Sequence, residues 1–250
     1  MKRFLCIGLL CVLVLSGCAT LQPKQELKQY SATFLELFDT VTTVVGKAES
    51  EAAFQEKAQS VKTELERYHR LFDIYNDYEG INNLKSVNDA AGFAPVTVDP
   101  ALIQLLLDCK EYYATTHGKV NVAMGSVLVL WHHARNDGLK DPLNACLPKE
   151  EALLEAARHR DMDCLVIDEE NATVFLTDPA ARLDVGAVAK GYTVEIVSQY
   201  LLASDMPSFI ISAGGNVRCG IKPLDGRNRW GVAIEDPQMT SNYKDVLFMT

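Results

Sequence analysis

Two hydrophobic periodicities occupy different stretches of this chain, and that division constrains the fold more than any other feature. From Glu49 onward, Phe54, Ala58, Val61, Leu65, Tyr68 and Phe72 recur at steps of four and three with charges between them, which specifies an amphipathic helix with one face on a core. Ile81 to Val87 reads as a short helix closing at Asn88-Asp89. Asp99-Pro100 supplies an N-cap with proline at the first helical position, opening a helix that runs to about His117. Ser126 to Arg135 and Pro148 to Arg160 follow as helices. Leu37 to Gly46 is β-branched and partly alternating, so it reads as a strand, while Leu165 to Asp168 and Thr173 to Thr177 flank a turn as a hairpin. Phe209 to Ala213, Val217 to Ile221, Trp230 to Glu235 and Asp245 to Met249 are further strands. Helices dominate the first 160 residues and strands the rest, which predicts an α+β fold of mostly antiparallel sheets with helices packed on them. At 250 residues and 48% hydrophobic content, the chain can bury the core of two intimate subdomains.

The N-terminus has a different character. Met1-Lys2-Arg3, the apolar run Phe4 to Leu15 and the small-residue ending Leu15-Ser16-Gly17-Cys18 have the layout of a signal peptide over residues 1–17, with a run too short to span a bilayer permanently. L-S-G-C resembles a bacterial lipobox, which implies that Cys18 becomes the first mature residue and carries an acyl (palmitate-type) anchor at a cell membrane or the periplasmic face of a bacterial membrane. Residues 18–30 are polar and read as a lipidated cysteine with a spacer, leaving residues 31–250 as the folded domain. Asp245 to Met249 starts a hairpin with no following partner before Thr250, so the expectation is a domain whose C-terminal part is missing.

Four of the seven cysteines, Cys109, Cys146, Cys164 and Cys219, lie beyond this leader. None forms a C-x-x-C pair or a zinc-type cluster, and buried thiols account for them at least as well as disulfides do. Trp131-His132-His133 places adjacent histidines on different sides of a helix, so they cannot ligate one metal as an i, i+4 pair and are given surface or supporting roles. The formal charge is −9, and removing the positive Lys2 and Arg3 with the leader would leave −11. Such an acidic surface excludes nucleic acid as the partner.

Arg182 to Gly191 reads R-L-D-V-G-A-V-A-K-G and leads into the apolar run Tyr192 to Leu202. A loop opening a helix offers free backbone N–H groups and the positive end of the helix dipole, a natural seat for phosphate. An ordinary strand-to-helix corner with a surface lysine would look the same, and the order is not that of a Walker A loop. Gly214-Gly215 could likewise let a ligand approach backbone closely or could simply turn between two strands.

Four segments in order carry a family resemblance: Phe38-Asp39-Thr40, Asp184 to Tyr192 (D-V-G-A-V-A-K-G-Y), Ser212 to Asn216 (S-A-G-G-N) and Trp230 to Pro237 (W-G-V-A-I-E-D-P). From about Ser31 to its end the chain resembles the ApbE family of lipoproteins, the FAD:protein FMN transferases. The resemblance implies binding of FAD as substrate with Mg2+, release of AMP, and attachment of FMN to a Ser or Thr of an acceptor, an exported flavoprotein subunit of a membrane redox complex. It also implies that Asp184 and Lys190 contact FAD, with Lys190 as the catalytic cation, that the backbone carbonyl of Ala187 ligates the metal, and that Phe38, Tyr75 and the turn Lys119, Val120 and Asn121 contact the flavin. Phe38 stands where the family often has Met, and Asn121 where it commonly has Asp. The remaining metal ligands, an Asp and a nearby Thr or Ala, would lie beyond Thr250, so the 250-residue form is expected to bind Mg2+ poorly and to be inactive. Two other activities fit the same residues: an FAD pyrophosphatase yielding FMN and AMP, and a non-catalytic FAD-binding lipoprotein.

Overall fold

A computed structural model describes residues 26–38, 40–234 and 245–249; the leader, Cys18 and the Glu235-Asp236-Pro237 end of the W-G-V-A-I-E-D-P segment lie outside them. The chain opens with an antiparallel pair, β1 (Lys28–Leu37) and β2 (Thr40–Ala48), followed by α1 (Glu51–Phe72). Next come α2 (Leu84–Asp89), β3 (Val96–Thr97), α3 (Pro100–Thr115), α4 (Gly125–Lys140) and α5 (Glu150–Ala156). The second half holds β4 (Leu165–Asp168), β5 (Thr173–Leu176), α6 (Ala189–Leu202), β6 (Phe209–Ala213), β7 (Asn216–Cys219), β8 (Trp230–Ile234) and β9 (Asp245–Met249). Three antiparallel sheets result, ordered β1-β2-β6-β7, β3-β5-β4 and β8-β9. This is the α+β architecture the sequence predicts.

Two hydrophobic cores organise the molecule, and α1 runs through both. Its first turns bury Phe54, Ala58, Val61 and Leu65 against Val44 of β2, Phe209 and Ile211 of β6 and Val194, Val197 and Leu201 of α6. Its last turns bury Tyr68, Leu71 and Phe72 with α2, α3 and the β4-β5 hairpin. The apolar stripe drives this, since burying each large side chain contributes roughly 1.5–3 kcal/mol. The ends are set locally: the Ser50 side chain accepts from Ala53 N at 3.1 Å, and Asp99 caps α3 by accepting from Ala101 N at 2.8 Å with Pro100 following.

Several boundaries differ from expectation for physical reasons. The stretch to residue 30, read as a spacer, joins the sheet at Lys28, because Tyr30, Ala32 and Phe34 pack on the α1 core, with Leu37 buried in it, from an edge strand whose Gln29, Ser31, Thr33 and Leu35 face solvent. The strand expected over Leu37 to Gly46 is broken: Leu37 pairs with Thr40, and Phe38 sits between them with φ of 52°. The short helix starts at Leu84 rather than Ile81, because the Asn83 side chain caps it by accepting from Ser86 N at 3.1 Å. Helix α5 gives way to a 3-10 turn over Ala157–His159. All four described cysteines are free, three of them buried, and burial pushes the Cys109 thiol up to about 12. No helix among the described residues is long and apolar enough to cross a membrane.

Candidate functional site

A cleft of about 310 Å3 opens where the two cores meet, lined by the turn after β1, the C-terminal end of α1 with the loop that follows, and the corner that starts α6. Each wall is held by bonds that reach far along the sequence.

On the α1 side the chain leaves the helix at Asp73, whose carboxylate gathers the next residues. Oδ1 accepts from Tyr75 N at 2.6 Å and Asn76 N at 3.2 Å, while Oδ2 accepts from Asn76 Nδ2 at 2.9 Å and Tyr78 Oη at 2.7 Å. Burial works against ionisation of Asp73, but the hydrogen bonds from Asn76, Tyr78 and the backbone of Tyr75 and Asn76 outweigh it and hold the carboxyl below its ordinary 3.8. That loop presents Tyr75, 49% exposed, to the cleft. One turn earlier, His69 accepts the backbone N–H of Phe38 on Nδ1 at 3.3 Å, which leaves the hydrogen of a neutral ring on Nε2. Phe38 meets His69 edge-on at 5.4 Å between ring centroids. Left-handed backbone at a residue other than Gly or Asn costs of order 1–2 kcal/mol, so Phe38 is a strained residue at the cleft wall.

The opposite wall is the Arg182–Gly191 corner. Asn88, buried on α2, brackets Leu183 by accepting its N–H on Oδ1 at 2.7 Å and donating Nδ2 to its carbonyl at 3.0 Å. From the other side Asp184 N donates to Val122 O at 2.8 Å and Gly125 N to Arg182 O at 3.0 Å, so the segment is clamped like a short strand. Gly125 permits this approach, since a Cβ there would lie 2.5 Å from Arg182 O. Asp184 Oδ1 accepts Gly186 N at 2.8 Å and shapes the turn into α6. Helix α6 begins without a side-chain cap, and Lys190 in its first turn pairs with no carboxylate among the described residues. Ala189 N donates to Val185 O at 2.8 Å, so the groups this helix start offers to the cleft are the Lys190 cation and the N–H groups that follow Ala189, a combination that suits an anion.

This arrangement sits inside a stretch with a matching family model, described as the ApbE family, over residues 38–250. The chain belongs to the ApbE family. ApbE relatives include an FAD:protein FMN transferase of Klebsiella pneumoniae (strain 342), 32% identical over 175 residues that make up 68% of this chain and 51% of the relative. Another, from Treponema pallidum (strain Nichols), is 28% identical over 246 residues, covering 94% of this chain and 65% of the relative. Among solved structures, the ApbE protein of Thermotoga maritima superposes with a TM-score of 0.73 at 22% identity, covering 89% of this chain and 68% of that one. The flavin transferase ApbE of Vibrio cholerae gives 0.72 at 19% identity, covering 88% and 68%. The chain thus spans between half and two thirds of the length of these curated relatives.

The cleft of this ApbE chain brings together Phe38, Tyr75, Asp184 and Lys190. Ala187 is exposed on the same turn and its carbonyl accepts no hydrogen bond from a described residue, although the residue is not part of the lining. Lys119, Val120 and Asn121 lie outside the cleft. Their turn runs beside Asp184 through the Val122 bond, and the Asn121 amide is occupied by Arg160 O and Ala123 N at 2.9 and 2.8 Å. Gly214 and Gly215, with φ of 55° and 89°, form the tight turn between β6 and β7 and do not line the cleft. His69, Asp73 and Asn88 were not singled out from the sequence. A histidine on the charged face of a helix carries no signal of its own, and the Asn88–Leu183 pair spans 95 residues.

Among the described residues no group of three or more His, Cys, Asp or Glu is arranged to hold a metal. The Ala187 carbonyl and the Asp184 carboxylate at this corner are oxygen donors, the kind of ligand a hard cation such as Mg2+ takes and a thiophilic metal does not favour.

Proposed function

We propose that the cleft binds FAD and that the protein transfers FMN from FAD to a Ser or Thr hydroxyl of an exported acceptor flavoprotein, releasing AMP. Lys190 carries this reading: a cation without a carboxylate partner among the described residues, at the start of α6 that has no side-chain cap, shares one cleft with the aromatic side chains Phe38 and Tyr75. A ligand with a diphosphate joined to flat rings matches that combination of groups, and the ApbE relatives act on such a ligand by name.

In the transfer, the acceptor hydroxyl oxygen attacks the FMN-side phosphorus, the new phosphoester bond forms, and the bond to the bridging pyrophosphate oxygen breaks. AMP takes the bridging oxygen and the hydroxyl proton passes to water. Lys190 neutralises charge that grows on the phosphate oxygens, and the α6 N-terminus adds to it. Phe38 and Tyr75 fix the ring system, so the reacting phosphorus is held in register with the cation. Mg2+, when bound, supplies further neutralisation, and the Ala187 carbonyl would hold it. The leader-like N-terminus and the L-S-G-C sequence at Leu15 to Cys18 support an exported protein tethered by lipid at Cys18, which would place it beside acceptor subunits of membrane redox complexes.

The test combines the protein, FAD, Mg2+ and a candidate acceptor, with AMP measured and the acceptor run on a denaturing gel. A fluorescent acceptor band that appears with stoichiometric AMP supports transfer. AMP without the band makes the protein a pyrophosphatase, and FAD binding without AMP leaves only a binding role.

A further inference from the structure

We propose that His132 is a positioning residue that backs Tyr75, so that the two stacked rings form a rigid platform for a planar ring of the ligand; the inference rests on the flavin-nucleotide reading of the cleft. His132 lies on α4, none of whose residues lines the cleft, and it reaches the cleft only through Tyr75. Its imidazole stacks on the Tyr75 phenol with centroids 4.5 Å apart and planes 23° apart. Two hydrogen bonds lock that stack. Asn136, one turn along α4, donates Nδ2 to His132 Nε2 at 2.8 Å, and an amide NH2 can only donate, so Nε2 is the accepting nitrogen. The other ring nitrogen, Nδ1, hydrogen-bonds with Tyr75 Oη, 3.2 Å away. Asn136 fixes the imidazole, the imidazole fixes both the plane and the hydroxyl of Tyr75, and Asp73 fixes the Tyr75 backbone from the other direction.

The arrangement has a functional cost that a purely structural one would not need. Tyr75 remains 49% exposed and lines the cleft instead of packing into a core. An exposed tyrosine on a loop samples several rotamers, and ordering it on binding weakens affinity. Holding the ring beforehand against a second aromatic removes that penalty for ligands that stack, and does nothing for a ligand without a ring.

Affinities of FAD, by quenching of flavin fluorescence, and of inorganic pyrophosphate, by calorimetry, would be compared for the wild type, His132→Ala, His132→Phe, Tyr75→Leu and the Tyr75→Leu/His132→Ala double variant. His132→Ala is expected to weaken FAD roughly three- to tenfold, the range of an aromatic pair. Pyrophosphate affinity and the thermal midpoint should stay unchanged, His132→Phe should restore most of the loss, and the double variant should bind FAD no more weakly than Tyr75→Leu alone. The inference is overturned by His132→Ala binding FAD as tightly as wild type, by an equal loss for pyrophosphate, or by additive effects in the double variant. Wild-type protein that binds no FAD overturns the flavin reading together with this inference, which separates that failure from the others.

Discussion

Asp73 and Asn88 are the two residues on which the cleft walls depend, and each makes a distinct prediction. The folded pKa of Asp73 is lowered, so as pH falls the unfolded chain takes up this proton first. Its contribution to stability is complete above the ordinary 3.8 and is lost as pH drops below that through the lower folded value. Asp73→Asn should therefore destabilise the protein at neutral pH and flatten the part of the acid-unfolding profile below pH 3.8, measured by circular dichroism. An unchanged profile would mean the carboxylate does not organise the loop. Asn88→Ala removes two bonds and strands a buried N–H and carbonyl on Leu183, with an expected cost of about 2–3 kcal/mol in denaturant unfolding. Amide exchange at Leu183 should accelerate in the same variant. Phe38 works differently: its left-handed backbone is strain held in place by the β1-β2 pairing and by the bond to His69.

At the scale of elements, the approach of α4 to the Arg182–Asp184 segment sets where the corner sits. Gly125→Ala puts a Cβ 2.5 Å from Arg182 O and 2.9 Å from Leu183 C, both backbone atoms that cannot swing aside. The expected result is a loss of roughly 1–3 kcal/mol together with weaker anion binding at α6, read by thermal melts and pyrophosphate titration. A variant with wild-type stability would contradict the tight crossing. Elements with a complete local signal were legible in the sequence: α1 from its stripe of apolar residues, α3 from Asp99-Pro100, and the β4-β5 hairpin from its turn. β1 was not, because its polar outer residues masked the half-buried Tyr30, Ala32 and Phe34, and neither was β3, which has only two residues. The same holds for the site. The Asp184–Lys190 corner could be picked out by motif and Tyr75 by family resemblance, whereas His69, Asn88 and the His132 stack depend on contacts across 31, 95 and 57 residues. The Lys119–Asn121 turn, taken from the family resemblance although Asn121 stands where the family commonly has Asp, lies beside the corner rather than in the cleft.

For the molecule as a whole, α1 threads both cores, so neither is expected to unfold alone. Far-ultraviolet signal and tryptophan fluorescence should report one coincident transition, and two separate transitions would show that the cores are independent. FAD that binds only the folded state, at a hundred times its Kd, should raise stability by about 2.7 kcal/mol. The ApbE assignment explains the fold, while the proposed chemistry rests on Lys190, which lines the same cleft as the aromatic side chains Phe38 and Tyr75. The most direct test is an FAD titration of wild type against Lys190→Ala, with thermal midpoints measured in parallel. The account predicts saturable FAD binding by wild type and at least a roughly tenfold loss in the variant at unchanged midpoint, the cost of removing one charge-assisted contact to phosphate. Equal FAD affinity in the two proteins, or no binding by wild type, would contradict it.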